Sequence, residues 1–222
     1  MELSQAFKHD NFTLKAFIRQ MAQVLHLLSE KRIVHCDLKP DNILINLDQY
    51  RAGKPLDLKV IDFGSAYTWD EVGNIGMATP EYMPPEFLSA LLYLKGTKSS
   101  IEQLNEITNP WSIDVWSLGA IILEIITGVP LWMSLKCRLD VGPKSVFGMG
   151  LFAVKGRAYD KILQRQRSVM ETLGEVLVEY LGPWADREAL FDLISRIMEW
   201  DPMRRISPEE ILQHPYLHNS SQ

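Results

Sequence analysis

Apolar residues at Leu14, Phe17, Ile18, Met21, Leu25 and Leu28 recur three or four apart, which places them on one face of a helix. Thr13 is positioned to cap that helix, Arg32 follows its end, and Pro40 forbids its continuation. Two short apolar runs, 43–47 and 58–61, read as strands joined by the polar stretch 48–55. Pairing them would bring Asn42, where the first begins, beside Asp62, where the second ends. Residues 65–79 show no period and predict a loop, and Pro80, Pro84 and Pro85 exclude a regular helix through their segment. After the polar stretch 96–109, a helix opening at Trp111 is apolar nearly all round, hence buried, until Gly128-Val129-Pro130 stops it. No element is assigned over 132–157. Val169, Met170, Leu173, Val176, Leu177 and Tyr180 then mark one helix, and Leu190, Leu193, Ile194, Ile197 and Met198 mark another. Ser207-Pro208-Glu209-Glu210 supplies an N-cap, a proline at the first helical position and an acidic first turn, and His214-Pro215 closes that last helix.

Composition narrows the picture. A chain of 222 residues that is 46% hydrophobic has the material for a sizeable core in one large domain or two small ones. Its net charge of −5 argues against nucleic acid as a partner. Cys36 and Cys137 are too few for a disulfide framework, so a reducing, intracellular location (cytoplasmic or nuclear) is expected. The most apolar region, 118–132, is short and interrupted by Glu124, Gly128 and Pro130, which predicts no membrane insertion. Nothing in the sequence sets an oligomeric state.

The candidate chemistry lies in Val34-His35-Cys36-Asp37-Leu38-Lys39-Pro40-Asp41-Asn42-Ile43-Leu44, where a carboxylate, an ammonium and an amide are closely spaced. Asp37 can orient or deprotonate a hydroxyl, Lys39 can neutralise a phosphate in transfer, and Asn42 can offer its carbonyl oxygen to Mg²⁺. Asp62-Phe63-Gly64 supplies a second metal ligand.

With Pro84-Pro85-Glu86, Asp114-Val115-Trp116-Ser117-Leu118-Gly119 and Asp201-Pro202-Met203-Arg204-Arg205 following in order, the chain resembles the eukaryotic protein kinases of serine/threonine type from about Phe7 to His218. The resemblance implies a protein-kinase-like α+β fold: a mainly α-helical carboxy-terminal lobe over 1–218 with a short β-hairpin pair, and a disordered tail at 219–222. It implies ATP and Mg²⁺ as cofactors and a protein Ser/Thr hydroxyl as acceptor. Asp37 would orient that hydroxyl, Lys39 would contact the γ-phosphate, Asn42 and Asp62 would hold the metal ions, and Leu44 would form the lower face of the adenine site. Thr79 would lie in the substrate loop. His35 and Phe63 would pack in the stack linking the lobes, Asp114 would accept hydrogen bonds from the catalytic-loop backbone, and Glu86 with Arg205 would form a buried ion pair.

The family's glycine-rich loop, strand lysine and helix glutamate do not precede residue 35, so the β-rich amino-terminal lobe is expected to be missing and residues 1–3 to lie near the hinge. Gly148-Met149-Gly150 with Lys155 imitates that loop and lysine but follows the buried helix, and reads as a glycine-containing insertion. Without the amino-terminal lobe the chain alone is expected to transfer very little phosphate, and the competing expectation is a catalytically inactive lobe that acts as a binding or regulatory module. Cys36 stands where many kinases carry a phosphate-binding arginine, so phosphate on Thr68 or Thr79 is not expected to order the loop through residue 36. Cys36 with Leu38-Lys39-Pro40 is loosely similar to the dual-specificity tyrosine-regulated kinases, whereas Met83 replaces that group's arginine and no Tyr-x-Tyr follows Tyr67. Trp111, Trp116 and Trp200 read as core packing, and His26 and His214 lack metal-ligand spacing.

Overall fold

A computed structural model describes residues 11–46, 48, 50, 53–70, 78–93, 103–132, 157–181 and 186–218. The first three residues, the glycines at 148–150 and the 219–222 tail lie outside them. Helix α1 (Asn11–Glu30) buries Leu14, Phe17, Ile18, Met21, Leu25 and Leu28 along the expected face. It already includes Thr13, which is no cap: its side chain is buried and its hydroxyl meets the Tyr50 hydroxyl.

Among the described residues four very short strands follow: β1 (Ile33–Val34), β2 (Ile43–Ile45), β3 (Leu58–Val60) and β4 (Tyr67–Thr68). β2 and β3 pair antiparallel with Ile43 opposite Val60 and Ile45 opposite Leu58. Beyond that register Ile61 N donates to Asn42 O at 2.9 Å, so the residues expected to hold metal do lie side by side. A second antiparallel pair, Ile33 opposite Thr68 and Val34 opposite Tyr67, lies partly in the stretch read as loop. Two-residue strands carry no period, so no sequence window reveals them.

Helix α2 (Pro85–Tyr93) begins at the last of the three prolines. A proline at the first helical position loses no helical hydrogen bond, and Phe87 N and Leu88 N both donate to Pro84 O. Helix α3 (Ser112–Thr127) is the centre of the molecule: fourteen of its sixteen residues are buried. It packs against α1, α5 (Leu173–Leu181) and α6 (Arg187–Ile197). Gly128 ends it in the left-handed region, φ 81°, with its N–H on Glu124 O. The helix expected around Val169 to Tyr180 is two: α4 (Arg157–Glu171) and α5, broken at Thr172. Ser207 and Glu210 form a reciprocal capping box on α7 (Pro208–Gln213), which lies against α1, and α8 (Pro215–His218) adds one turn. No described helix is long and apolar enough to cross a membrane.

Candidate active site

The loop between β1 and β2 is built over α3. Asp114, in the first turn of α3 and 2% exposed, accepts His35 N at 2.7 Å on one oxygen and Cys36 N at 2.9 Å on the other. Successive N–H groups converge on one carboxylate because Cys36 takes up a left-handed backbone, φ 67°. Burial raises the Asp114 carboxyl above the usual carboxylate range, with the His35 charge and the two N–H bonds opposing that shift. The Cys36 side chain is buried, and burial, with Asp114 and Asp37 nearby, pushes its thiol well above the ordinary range.

Past this turn, Asp37 lies 7% exposed at the centre of a closed network. Lys39 Nζ donates to its Oδ2 at 2.7 Å, while Thr79 N and Thr79 Oγ1 donate to its Oδ1 at 2.8 and 2.7 Å. Lys39 Nζ also donates to Thr79 Oγ1 at 3.1 Å. Pro40–Asn42 forms a 3₁₀ turn that brings Asn42 back to the start of the loop, where Nδ2 donates to Asp37 O at 2.8 Å. The Asn42 amide nitrogen is thus engaged, and its carbonyl oxygen is the end left for a ligand.

Asp62 sits at the exit of β3 with φ 61° and an exposed carboxylate, which accepts Gly64 N at 3.3 Å. A Cβ on residue 64 would come within 3.1 Å of Asp62 Oδ1, so glycine there leaves the carboxylate room. His35 Nε2 lies 3.0 Å from Ile61 O; since a carbonyl only accepts, Nε2 carries the proton. The His35 ring also meets Phe63 edge-on, with centroids 4.8 Å apart. Leu44, Ile61 and Phe63 are 53%, 37% and 47% exposed, an apolar rim above the polar groups.

Ten of the eleven residues singled out in the sequence therefore fall into two assemblies. Asp37, Lys39, Asn42 and Thr79 form one hydrogen-bonded network, and Asp114 braces its loop through the backbone N–H groups of His35 and Cys36, with Phe63 against the His35 ring. Asp62 borders it through the β2–β3 register. Glu86 and Arg205 lie apart from it as a bidentate ion pair, with Nη1 and Nη2 at 2.7 and 3.1 Å from the two Glu86 oxygens. Leu44 is the eleventh: it stands on the outward face of β2, opposite Lys59. Three residues not singled out surround Thr79's segment: Ser117, Trp132 and Gln166 donate to the carbonyls of Tyr82, Glu81 and Met83. One of two glutamines in the polar run Gln164 to Ser168 gives no signal of that contact.

Among the described residues, no three of His, Cys, Asp and Glu converge as an all-protein metal cage. Mg²⁺ does not demand one, since it is commonly held by one or two protein oxygens together with phosphates and water, and Asn42 Oδ1 with the exposed Asp62 carboxylate fits that donor set.

The family model described as protein kinase domain matches residues 2–217. The chain is 28% identical to Dual specificity tyrosine-phosphorylation-regulated kinase 2 of Drosophila melanogaster, over all of this chain and 30% of that protein. It is 30% identical to Serine/threonine-protein kinase ppk5 of Schizosaccharomyces pombe, over 92% of this chain and 23% of the relative. It is 29% identical to Dual specificity protein kinase CLK4 of Mus musculus, over 90% and 44%. The chain spans under half the length of each of these relatives. With the family model covering nearly every residue, this chain belongs to the protein kinase domain family.

Proposed function

We propose that this domain carries the acceptor side of a serine/threonine protein kinase, the part that receives a protein hydroxyl for transfer of the γ-phosphoryl group of ATP. The observation that supports this reading most is the Asp37 carboxylate, bonded by Lys39 on one oxygen and by Thr79 on the other. A carboxylate fixed at both oxygens has one orientation, and orientation is most of what phosphoryl transfer asks of a protein. In this reading Asp37 aligns the attacking hydroxyl and accepts its proton. Lys39, already 2.7 Å from Asp37, places a positive charge beside the transferring phosphoryl group. Asn42 Oδ1 and Asp62 would hold Mg²⁺, which when bound neutralises phosphate charge. Leu44 would lie under adenine, and Ile61 and Phe63 share its exposed rim. Thr79 ties the segment that meets the substrate to the carboxylate that meets the hydroxyl.

The exposed rim also favours a second reading, in which Leu44, Ile61 and Phe63 bind a partner and no chemistry occurs. Phosphoryl transfer from ATP to Ser-, Thr- and Tyr-containing peptides, measured with Mg²⁺ for the chain and for Asp62→Asn, separates the two. Transfer to Ser or Thr that falls at least about a hundredfold in the variant is expected, because the metal side would lose its carboxylate. Equal rates in both proteins would refute phosphoryl transfer by this chain and leave the second reading.

A further inference from the structure

Three successive backbone carbonyls, those of Glu81, Tyr82 and Met83, are each bonded by a side chain from the helical body. Trp132 Nε1 donates to Glu81 O, Ser117 Oγ to Tyr82 O at 2.8 Å, and Gln166 Nε2 to Met83 O at 2.9 Å. Tyr82 adds its own hydroxyl, which donates to Glu124 Oε2 at 2.6 Å. Thr79, at the head of the stretch, is bound to Asp37 through both its backbone N–H and its hydroxyl. Loop carbonyls ordinarily find water or their own backbone. Here donors from α3, from the turn after it and from α4 set the loop against the helices at consecutive residues. All three donors are uncharged, and none is a phosphate ligand.

Gln166 is the donor that α4 supplies. Its side chain is fully buried between Ile162 and Val169 along α4, and its Oε1 has no hydrogen-bond partner among the described residues. A methionine of similar size would pack there without an idle buried oxygen, so the amide is justified by what its nitrogen holds. We propose that Gln166 is a positioning residue for the protein substrate: by holding the Met83 carbonyl it keeps residues 79–83 in the shape that receives the acceptor peptide, with no phosphate on the preceding segment. This rests on the reading of that stretch as substrate-facing.

The test uses the unphosphorylated full chain as wild type, Gln166→Met and Gln166→Glu. Amide hydrogen exchange over 79–83 requires no activity, and KM is measured separately for a Ser/Thr peptide and for ATP. In Gln166→Met, exchange over 79–83 should quicken at least about fivefold while that of α3 does not change, and peptide KM should rise by a similar factor with ATP KM constant. In Gln166→Glu a carboxylate would face the Met83 carbonyl, whereas the protonated acid can donate to it. Its peptide KM, relative to wild type at the same pH, should therefore fall back as pH is lowered, a profile that Gln166→Met lacks. Unchanged exchange in Gln166→Met overturns the proposal, and so does an ATP KM that rises in step with the peptide KM. A wild type that transfers no phosphate strikes the proposed function, and the exchange measurement still decides whether Gln166 holds the loop.

Discussion

Removal of Glu86 should be among the most damaging single changes in this fold. Arg205, whose side chain is 0% exposed, makes four hydrogen bonds: two to the Glu86 carboxylate, one to Ser112 O at 2.8 Å and one to Glu199 O at 3.0 Å. Its guanidinium also lies 5.0 Å from the Trp116 ring centroid. In Glu86→Ala the guanidinium keeps the two carbonyls and the ring, and loses the only carboxylate it contacts among the described residues. It cannot shed its proton and its side chain is 0% exposed, so the cost is that of losing a buried partner, about 3–5 kcal/mol. Arg205→Met leaves Glu86 8% exposed without its cation, together with two unfilled carbonyls, a loss of similar size. The double variant buries no orphaned charge, so its cost should be at least about 2 kcal/mol below the sum of the single costs. Urea unfolding followed by fluorescence and by circular dichroism, with coincident transitions as the two-state check, measures all three. A Glu86→Ala cost below about 1 kcal/mol, or strict additivity, would refute the argument that desolvated charge dominates at this pair.

Gly119→Ala should cost about 1–3 kcal/mol in thermal unfolding, because its Cβ would overlap Met198 Sδ and stand 2.6 Å from Ile197 Cγ2; a loss within measurement error would show that α6 can retreat freely. The capping box predicts a pH effect: Ser207 N donates to Glu210 at 2.8 Å and, with the Ser207 side chain, lowers its carboxyl below the ordinary range. A lowered folded value means stability present above the unfolded value, about 4.3, and lost as pH falls through the folded one. The melting temperature of wild type relative to Glu210→Ala should accordingly be higher at pH 6 and converge on acidification, and a pH-independent difference would contradict the assignment.

What the sequence disclosed is what short-range chemistry decides. The capping box at Ser207–Glu210 is complete within four residues, and Gly128 stops α3 where its missing Cβ allows φ 81°. The proximity of Asn42 and Asp62 followed from pairing two apolar runs. Other features needed the third dimension. Pro85 reads as a helix breaker but opens α2, because position within a helix, and not residue type, decides what a proline costs. Thr13 had the residue type of a cap and the place of a buried helical residue, since the preference for capping yields to tertiary burial. The apolar series Val169 to Tyr180 continues across the break at Thr172, because both helices bury that face against the same core. Gln166 and Met83 lie 83 positions apart, beyond any local pattern.

Cys36 joins these levels. Its side chain lies in the core with the thiol held protonated, so residue 36 offers no cation to a phosphate on Thr68 or Thr79. The placement of Asp37 does not depend on a cation at 36, because Asp114 holds the loop through the backbone N–H groups of His35 and Cys36. The segment after Asp62-Phe63-Gly64 is likewise anchored by unmodified groups. Trp69 N donates to Arg32 O at 2.8 Å, Asn105 Nδ2 donates to Trp69 O at 3.2 Å, and Arg32 grips Asp70 through Nε and Nη2 at 2.8 and 2.7 Å. The Arg32–Asp70 pair is exposed and contributes little alone, so the backbone bonds and the half-buried Trp69 carry the anchoring. With Thr79 bound to Asp37 and Gln166 beneath Met83, the described residues on either side of 71–77 are held by uncharged side-chain and backbone donors and one exposed ion pair, none of which requires a phosphate.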